Sequence, residues 1–586
     1  MASSRLRAAL SLLVAGMGLY TALAAALMIY RTYCPVIFWD QWEYVNVAMK
    51  PAGLPFWSRV WLQSDESRLV IGKLAGFADL RFFGGRNISL QIELCLIPIC
   101  VAMIFFWMIR RSGQLRGPAL ATAVGFIVFC ALNPVQVDDL IWYFEVGFVF
   151  TGLAAVASFA GAVWHSSRAV PGGRRWISGP LALSLFAALL AEGSRLDGLL
   201  VWPILLLLSF SLRFPRKTRV LIGGVASAAV AVYFWRFHSV GGVSGEGLEA
   251  IRHPLSMAEY VVHYFGATWN TLLPPGSAGF ILSELLAVAA ILISIVTALR
   301  HLCFRRPKPD PLTPFLAAIM LFTISTAGVT SLGRLRFGVA QAAASRYQCV
   351  ALLFWAAFAT LVLSWAARKT PRPLALAAVQ CGLLVLMVAS AGRFHAYERV
   401  AAVRQVRLNR AYLAVMRDPS DPAAAGALNP AVASMPVWYG YLHSHRLGPG
   451  RGELEGRLPA VPAPPPISIW SAYRVYTADH CMGWIDGLQP GVLEPGVVSL
   501  AGWAWDKEGR RPPRQIVFAS PDGTVAGFGE MAIPREDVAA VVPGITDINT
   551  GWEGPAIATK GTRLRAFAVL RDRISICPLS NEVILP

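Results

Sequence analysis

The chain has 586 residues, 55% hydrophobic and only 15% charged, with a mean hydropathy of +0.53, which excludes an ordinary soluble globular protein. Its net charge of +18 invites a nucleic-acid reading, but the basic residues fall where membrane topology puts them, so no nucleic-acid partner is expected. Nine cysteines show no Cys-x-x-Cys or Cys/His spacing suited to zinc.

Eleven apolar runs of roughly 16–22 residues recur, long enough to cross a bilayer core of about 30 Å as helices. They cover about 8–30, 89–109, 117–133, 146–164, 177–192, 198–212, 219–236, 279–299, 312–332, 349–367 and 373–391. The fifth and sixth are short, which suits a tilted or partly re-entrant path. The first is too long for a signal peptide and lacks a clear small-residue cleavage site, so it reads as an anchor.

With the N-terminus in the cytoplasm, five connections share that side: "RRSGQLRG" (110–117), "HSSRAVPGGRRW" (165–176), "RFPRKTR" (213–219), "RHLCFRRPKPD" (300–310) and "ARKTPRP" (367–373). They are rich in Arg and Lys, and of the 34 acidic residues only Asp310 lies in them. That is the positive-inside pattern. The expected fold is a polytopic α-helical membrane protein of about 11 transmembrane helices, N-in and C-out, with a C-terminal extracytoplasmic β-rich domain.

Three outward segments are long: 31–88, 237–278, and everything after 392. Residues 1–391 form the transmembrane domain, 392–479 a connector, and 480–586 the β-rich domain. The connector opens with a helical stretch, 393–416, whose Arg399, Arg404, Arg407 and Arg410 suit anionic headgroups or a solvated basic face. Residues 418–470 are rich in Pro, Ala and Gly and read as a linker or irregular wrap, with "VPAPPP" (461–466) a stiff spacer. Beyond 480, short β-like runs alternate with turns, and "SPDGTV" supplies an Asp-Gly hairpin signal. A β-sandwich of roughly 100 residues is the expected solution. Cys481 and Cys577 both fall in this outward tail, where an oxidising compartment permits a disulfide.

The outward loops hold the candidate chemistry. "CPVIFWDQWEYV" (34–45) sets Asp40 and Glu43 among aromatic rings, three residues apart and so on one face of a helical turn. "SDESR" adds Asp65, Glu66 and Arg68; "VDDLIWYFE" gives Asp138, Asp139 and Glu145; "AEGSRLDG" places Glu192 and Asp197 around Arg195. Arg334, Arg336 and Arg346, the last followed by Tyr347, supply the opposite charge. The plainer readings are a solvated turn for Asp138–Asp139, a local charge network for 65–68, and snorkelling for Arg334 and Arg336. Asp40 resists the plain reading, because Phe38, Trp39 and Trp42 desolvate it with no local cation. Acids and arginines together suit one demand: arginine forks hold a lipid-linked phosphate while a carboxylate activates a hydroxyl.

This layout resembles the GT-C superfamily of multi-spanning glycosyltransferases over about residues 1–390. The matching elements are "FWDQWEYV" (38–45), the amphipathic "RLVIGKLAGFADLRFFGG" (68–85), which looks like juxtamembrane helices, and "ASRY" (344–347) outside a late helix. The stretch "LAGWAWDKEGRRPPRQIVFASPDGTVAGFGEMAIPREDVAA" (500–540), with Arg535-Glu536-Asp537-Val538, is similar to β-sandwich modules appended to bacterial cell-surface glycosylation proteins.

The resemblance implies a bacterial inner-membrane enzyme with a periplasmic C-terminal domain. Its donor would be a sugar on a polyprenyl-phosphate carrier and its acceptor a glycan or glycolipid. Asp40 matches the general base, Arg346 is first choice for the carrier phosphate and Arg334 and Arg336 the next, and Glu43, Asp65 or Asp139 would orient the acceptor or hold a divalent cation such as Mg or Mn. A paired Asp-Asp or Asp-x-Asp is absent from the first loop, which leaves metal dependence open. Two alternatives stand beside this reading. One is an O-antigen-type polymerase or ligase on diphosphate-linked glycans. The other is a transporter or flippase with an appended domain, against which the polar groups gather at helix ends and Glu93 is the main acid within a span.

Overall fold

A computed structural model describes residues 2–49, 55–64, 66–168, 178–238, 250–270, 273, 276–303, 310–368, 373–457, 468–489, 497–533, 535–559 and 561–585. Length sorts its apolar helices into two kinds. Nine are long and apolar enough to span a membrane among the described residues: Arg5–Thr32, Ile88–Ser112, Gly117–Ile141, Tyr143–Ser167, Arg216–Phe234, Ala278–Cys303, Leu312–Phe337, Ser345–Arg368 and Leu374–Arg417. Two more, Gly179–Ser194 and Leu196–Ser211, are shorter. Sixteen helical residues rise only about 24 Å, so the eleven expected spans become nine long helices and two short ones. The chain is a multi-pass membrane protein.

In chain order the helices are α1 (Ala2–Thr32), α2 (Trp42–Met49), α3 (Phe56–Trp61), α4 (Val70–Phe82), α5 (Ile88–Ser112) and α6 (Gly117–Ala131). Then come α7 (Val137–Ile141), α8 (Val146–Arg168), α9 (Gly179–Ser194), α10 (Val201–Ser211), α11 (Arg216–Phe234) and α12 (Pro254–Asn270). The bundle closes with α13 (Ala278–Ala298), α14 (Leu312–Arg334), α15 (Gln348–Arg368), α16 (Pro373–Ala391) and α17 (Phe394–Arg417).

Burial separates the helices into layers. In α8 and α15, 72% of the most apolar stretch is buried, against 28% in α11 and α13 and 33% in α1 and α5. The first pair forms the centre of the bundle. The outer helices turn leucines outward, Leu12, Leu19 and Leu23 of α1 among them, as a lipid-facing surface requires. Small residues let α1 and α6 touch: a Cβ on Gly18 would lie 2.3 Å from the Gly125 carbonyl oxygen.

Residues 418–457 are not an irregular wrap. They form α18 (Pro422–Leu428), α19 (Met435–Ser444) and α20 (Arg451–Glu455), which bury one apolar cluster with Cys34, Val36, Ile37, Trp42 and Val45 of the first loop. Trp42 stacks on Trp438 with ring centres 5.5 Å apart. The alanine-rich composition that suggested a linker is the composition of short helices packed on a neighbour. "VPAPPP" (461–466) lies outside the described residues.

The C-terminal domain is a single eight-stranded sheet rather than two packed sheets. Its strands are β1 (Arg474–Val475), β2 (Cys481–Gln489), β3 (Val497–Asp506), β4 (Gln515–Ala519), β5 (Val525–Ile533), β6 (Gly551–Ile557), β7 (Arg563–Val569) and β8 (Ser575–Ile584), in the order β1-β8-β7-β4-β5-β6-β3-β2. The expected Asp-Gly hairpin joins β4 to β5, with Gly523 at φ +87°. The sheet curls until β2 meets β8: Asn581 exchanges side-chain hydrogen bonds with Ile485, and a disulfide joins Cys481 to Cys577. Curling covers an apolar face that a flat sheet would leave open.

Candidate active site

The first-loop motif is held from beneath by a chain of hydrogen bonds. Asp79 of α4 caps the start of α5, accepting from the Asn87 amide at 2.7 Å and the Ser89 amide at 3.0 Å. Asn87 donates to the carbonyls of Cys34 and Val36 and accepts from buried Gln41 at 2.9 Å. The turn Trp39–Gln41 is therefore fixed at its third residue. At its first, Trp39 adopts φ +52°, and its carbonyl accepts from Asn429 at 2.8 Å. A bulky residue pays roughly 1–2 kcal/mol for that left-handed conformation, so the surrounding contacts impose it. Asp40 sits half-buried in this turn.

Glu43, one helical turn on, is a satisfied carboxylate, accepting from Ser64 Oγ at 2.8 Å and Asn46 Nδ2 at 3.0 Å. Tyr44 presses on α4: a Cβ on Gly76 would lie 2.4 Å from its ring, and one on Gly72 2.9 Å from its hydroxyl oxygen. Arg68 is no member of a local charge network. Its guanidinium donates to the carbonyls of Tyr233 and Trp61 at 2.7 Å, and also to Trp235, closing the end of α11. Glu66 is half-buried and makes no ion pair among the described residues, and Asp65 lies outside them.

The second acidic loop stands against the first. Asp138 is not a solvated turn residue: it takes Arg404 of α17 at 2.5 Å and a hydrogen bond from Ser345. Asp139 accepts from the Cys349 amide at 3.1 Å, at the positive N-terminus of α15. Glu145 is 1% exposed, and its Oε2 has no hydrogen-bond partner.

Glu145 lies within electrostatic reach of Arg346, Arg195, Asp138 and Asp40. Four groups from four separate stretches of sequence thus act on one buried carboxylate. Tyr44 extends the set, since Glu145, Glu93, Asp40 and Glu43 all act on it.

The cations differ in their holding. Arg195 lies 3.1 Å over the Phe148 ring and 3.6 Å from Asp197, while Glu192 instead accepts from Trp202. Arg346 packs over Tyr347, which is buried and stacked on Tyr264. Arg334 joins Arg346 in acting on Tyr260, whereas exposed Arg336 packs on Phe337.

Beside this cluster opens a cavity of about 2150 Å³ between the bundle, α17 and the β-domain. Phe38, Trp39, Asp138, Trp142 and Arg346 line it; Asp40, Glu145 and Arg195 lie off its wall. Glu284 of α13 also lines it, 3.0 Å from His263 Nδ1 and accepting from Asn270 at 2.6 Å. Among the described residues, no group of three His, Cys, Asp or Glu side chains is placed to hold a metal ion.

Glu145 stands in the second acidic stretch without being singled out there, Arg404 was expected at anionic headgroups or on a solvated basic face, and Glu284 was not among the expected site residues. The signal for Glu284 was present, because an acid inside the apolar run 279–299 is costly unless it has partners. No protein-family model matches the chain, and no curated protein matches it.

Proposed function

We propose that this protein is a GT-C-type membrane glycosyltransferase, moving a sugar from a polyprenyl-phosphate carrier to a cell-surface glycan or glycolipid. The observation that carries the reading is that Asp40, Asp138, Arg195 and Arg346 all lie within electrostatic reach of buried Glu145, beside a cavity large enough for a lipid-linked sugar and its acceptor. The positive-inside loops support an extracytoplasmic site on the bacterial inner membrane, and the disulfide suits an oxidising compartment.

In this reading Arg346, with Arg334 behind it, holds the carrier phosphate. Asp40 takes the proton of the acceptor hydroxyl as that oxygen bonds to the anomeric carbon. The bond from that carbon to the phosphate oxygen breaks, and the carrier phosphate leaves with the electron pair. Arginine stabilises the charge it gains. Glu145, buried between the acids and the arginines, fixes their separation.

Asp40→Asn tests the assignment. Transfer from a polyprenyl-phosphate donor is expected to fall about 100-fold or more, with normal membrane insertion. Near-normal transfer by this variant overturns Asp40 as the base. A second reading, a polymerase or ligase on diphosphate-linked glycans, draws on Arg404 and Arg407, which line the same cavity as Arg346. Supplying monophosphate-linked and diphosphate-linked donors in parallel separates the two.

A further inference from the structure

The wall of the cavity facing the bundle belongs to the β-domain. Arg510, Arg511 and Arg514 come from the β3–β4 loop and Arg571 from the β7–β8 turn. These loops are neighbours because β4 pairs with β7, and the Arg514 amide donates to the Val569 carbonyl at 2.9 Å. Pro512 and Pro513 stiffen the first loop between its arginines. The opposite side carries Arg399, Arg404 and Arg407 of α17, with 404 and 407 on one helix face.

The two walls are fixed to one another. Arg410 of α17 lies 3.8 Å from Glu553 of β6, and both are under 9% exposed. Arg410 is therefore a buried domain link rather than a headgroup contact.

Charge on these walls is unbalanced. Eight arginines and seven acids line the cavity, but six of the acids already hold donors, among them Asp138 with Arg404, Glu398 with Arg31, and Asp537 with Arg535. Burial also raises the Asp547 pKa, weakening that negative charge. By contrast Arg399, Arg407, Arg510, Arg511, Arg514 and Arg571 make no ion pair among the described residues. Arg404 Nη1 and Arg407 Nε are buried without a hydrogen-bond partner. A buried donor with no partner is costly, and an anion in the cavity would supply one.

We propose that α17 and the β-domain together form the binding site for an anionic acceptor saccharide, one carrying carboxylate or phosphate groups. The proposal rests on the transferase reading for the word acceptor, and on the cavity alone for the anion. The domain is then half of the site rather than an appendage.

Full-length protein in phosphatidylcholine nanodiscs tests it, with no sugar donor present. The probes are fluorescent hexagalacturonate and fluorescent maltohexaose, acidic and neutral chains of equal length, read by anisotropy. Hexagalacturonate is expected to bind at low salt and maltohexaose to bind at least about tenfold more weakly. The triple variant Arg511→Gln/Arg514→Gln/Arg571→Gln should lose about tenfold in affinity for the acidic chain, with unchanged thermal unfolding. Arg511→Lys/Arg514→Lys/Arg571→Lys should recover most of it.

Equal binding of the two saccharides, or undiminished binding by the glutamine variant, overturns the proposal. A second arm replaces 30% of the lipid with phosphatidylglycerol. If that lipid abolishes hexagalacturonate binding to the wild type, the arginines serve headgroups, and the saccharide assignment falls. Donor transfer plays no part in this assay, so its failure is distinct from a failure of Asp40→Asn.

Discussion

The two aromatic-and-acid loops look alike as sequence and behave differently as structure. In 38–45 the acids are half-buried, and the backbone around them is what is constrained, through Gln41, Asn87 and the left-handed Trp39. In 133–145 Asp139 and Glu145 are themselves buried and Asp138 is half-buried, and each is treated in its own way. Asp138 has a cation, Asp139 has a helix N-terminus at one oxygen and no hydrogen-bond partner at the other, and Glu145 has an oxygen without a partner. A buried carboxylate oxygen without a partner costs free energy that folding alone does not recover. The difference separates Asp138, paired across the fold, from Asp139 and Glu145, each of which keeps an oxygen without a partner.

Glu145→Gln probes that difference with the largest expected effect. If Glu145 sets the spacing of Asp40 and Arg346, transfer should fall about 100-fold while the unfolding midpoint holds, because glutamine has the same shape and volume as glutamate. A midpoint that drops by many degrees, with transfer lost only in proportion to folded protein, would return Glu145 to the structural class.

Arg404→Ala comes next. It leaves half-buried Asp138 with the Ser345 hydroxyl and the more distant Arg346, and removing one partner of such a pair costs roughly 1–3 kcal/mol. The double variant Arg404→Ala/Asp138→Asn should regain most of that loss in denaturant unfolding, since no uncompensated charge remains. A single variant as stable as the wild type would show that the pair contributes nothing to holding α17 against the second loop.

Gly76→Ala is smaller. Its new methyl meets the Tyr44 ring at 2.4 Å, and overpacking of this kind costs about 1–3 kcal/mol. Gly16, with open space around its Cβ position, is the control expected to tolerate alanine. Equal stability of the two variants would mean that α4 does not clamp the first loop through Tyr44.

What was legible in the sequence follows from the same distinction. Apolar runs are long and self-reporting, so each of the eleven expected spans coincides with a helix, α9 and α10 being short, whereas α12 packs into the bundle from 237–278, expected only as an outward segment. Val497–Asp506 and Gln515–Ala519 announced themselves by β-rich composition. Cys481–Gln489 did not, because its inward position 483 is a glycine and its outward position 484 a tryptophan, which hides the alternation that a strand with one buried face displays. The site was half legible for a different reason. Its residue types stood out, but their partners lie far away in sequence: Arg404 is 266 positions from Asp138, and no local pattern encodes that contact. Arg68 misled in the opposite sense, since acids beside it in sequence suggested a network while its actual acceptors are main-chain carbonyls at the end of α11.

The smallest predicted effect sharpens the comparison within the first loop itself. Asp40 and Glu43 share a face by spacing and were paired as catalytic candidates, yet Glu43 spends both oxygens on Ser64 and Asn46. Glu43→Gln keeps one acceptor and turns an amide group toward the other donor, so it should cost about 1 kcal/mol of stability, the worth of one hydrogen bond. Transfer per folded molecule should stay within about threefold of the wild type, because a side chain committed to holding Ser64 has no free oxygen for a substrate proton. Measured beside Asp40→Asn in the same membranes, the two substitutions should separate by more than tenfold. If they fall together, Glu43 acts with Asp40 on the substrate, and its bonds to Ser64 and Asn46 must open before the acceptor hydroxyl arrives.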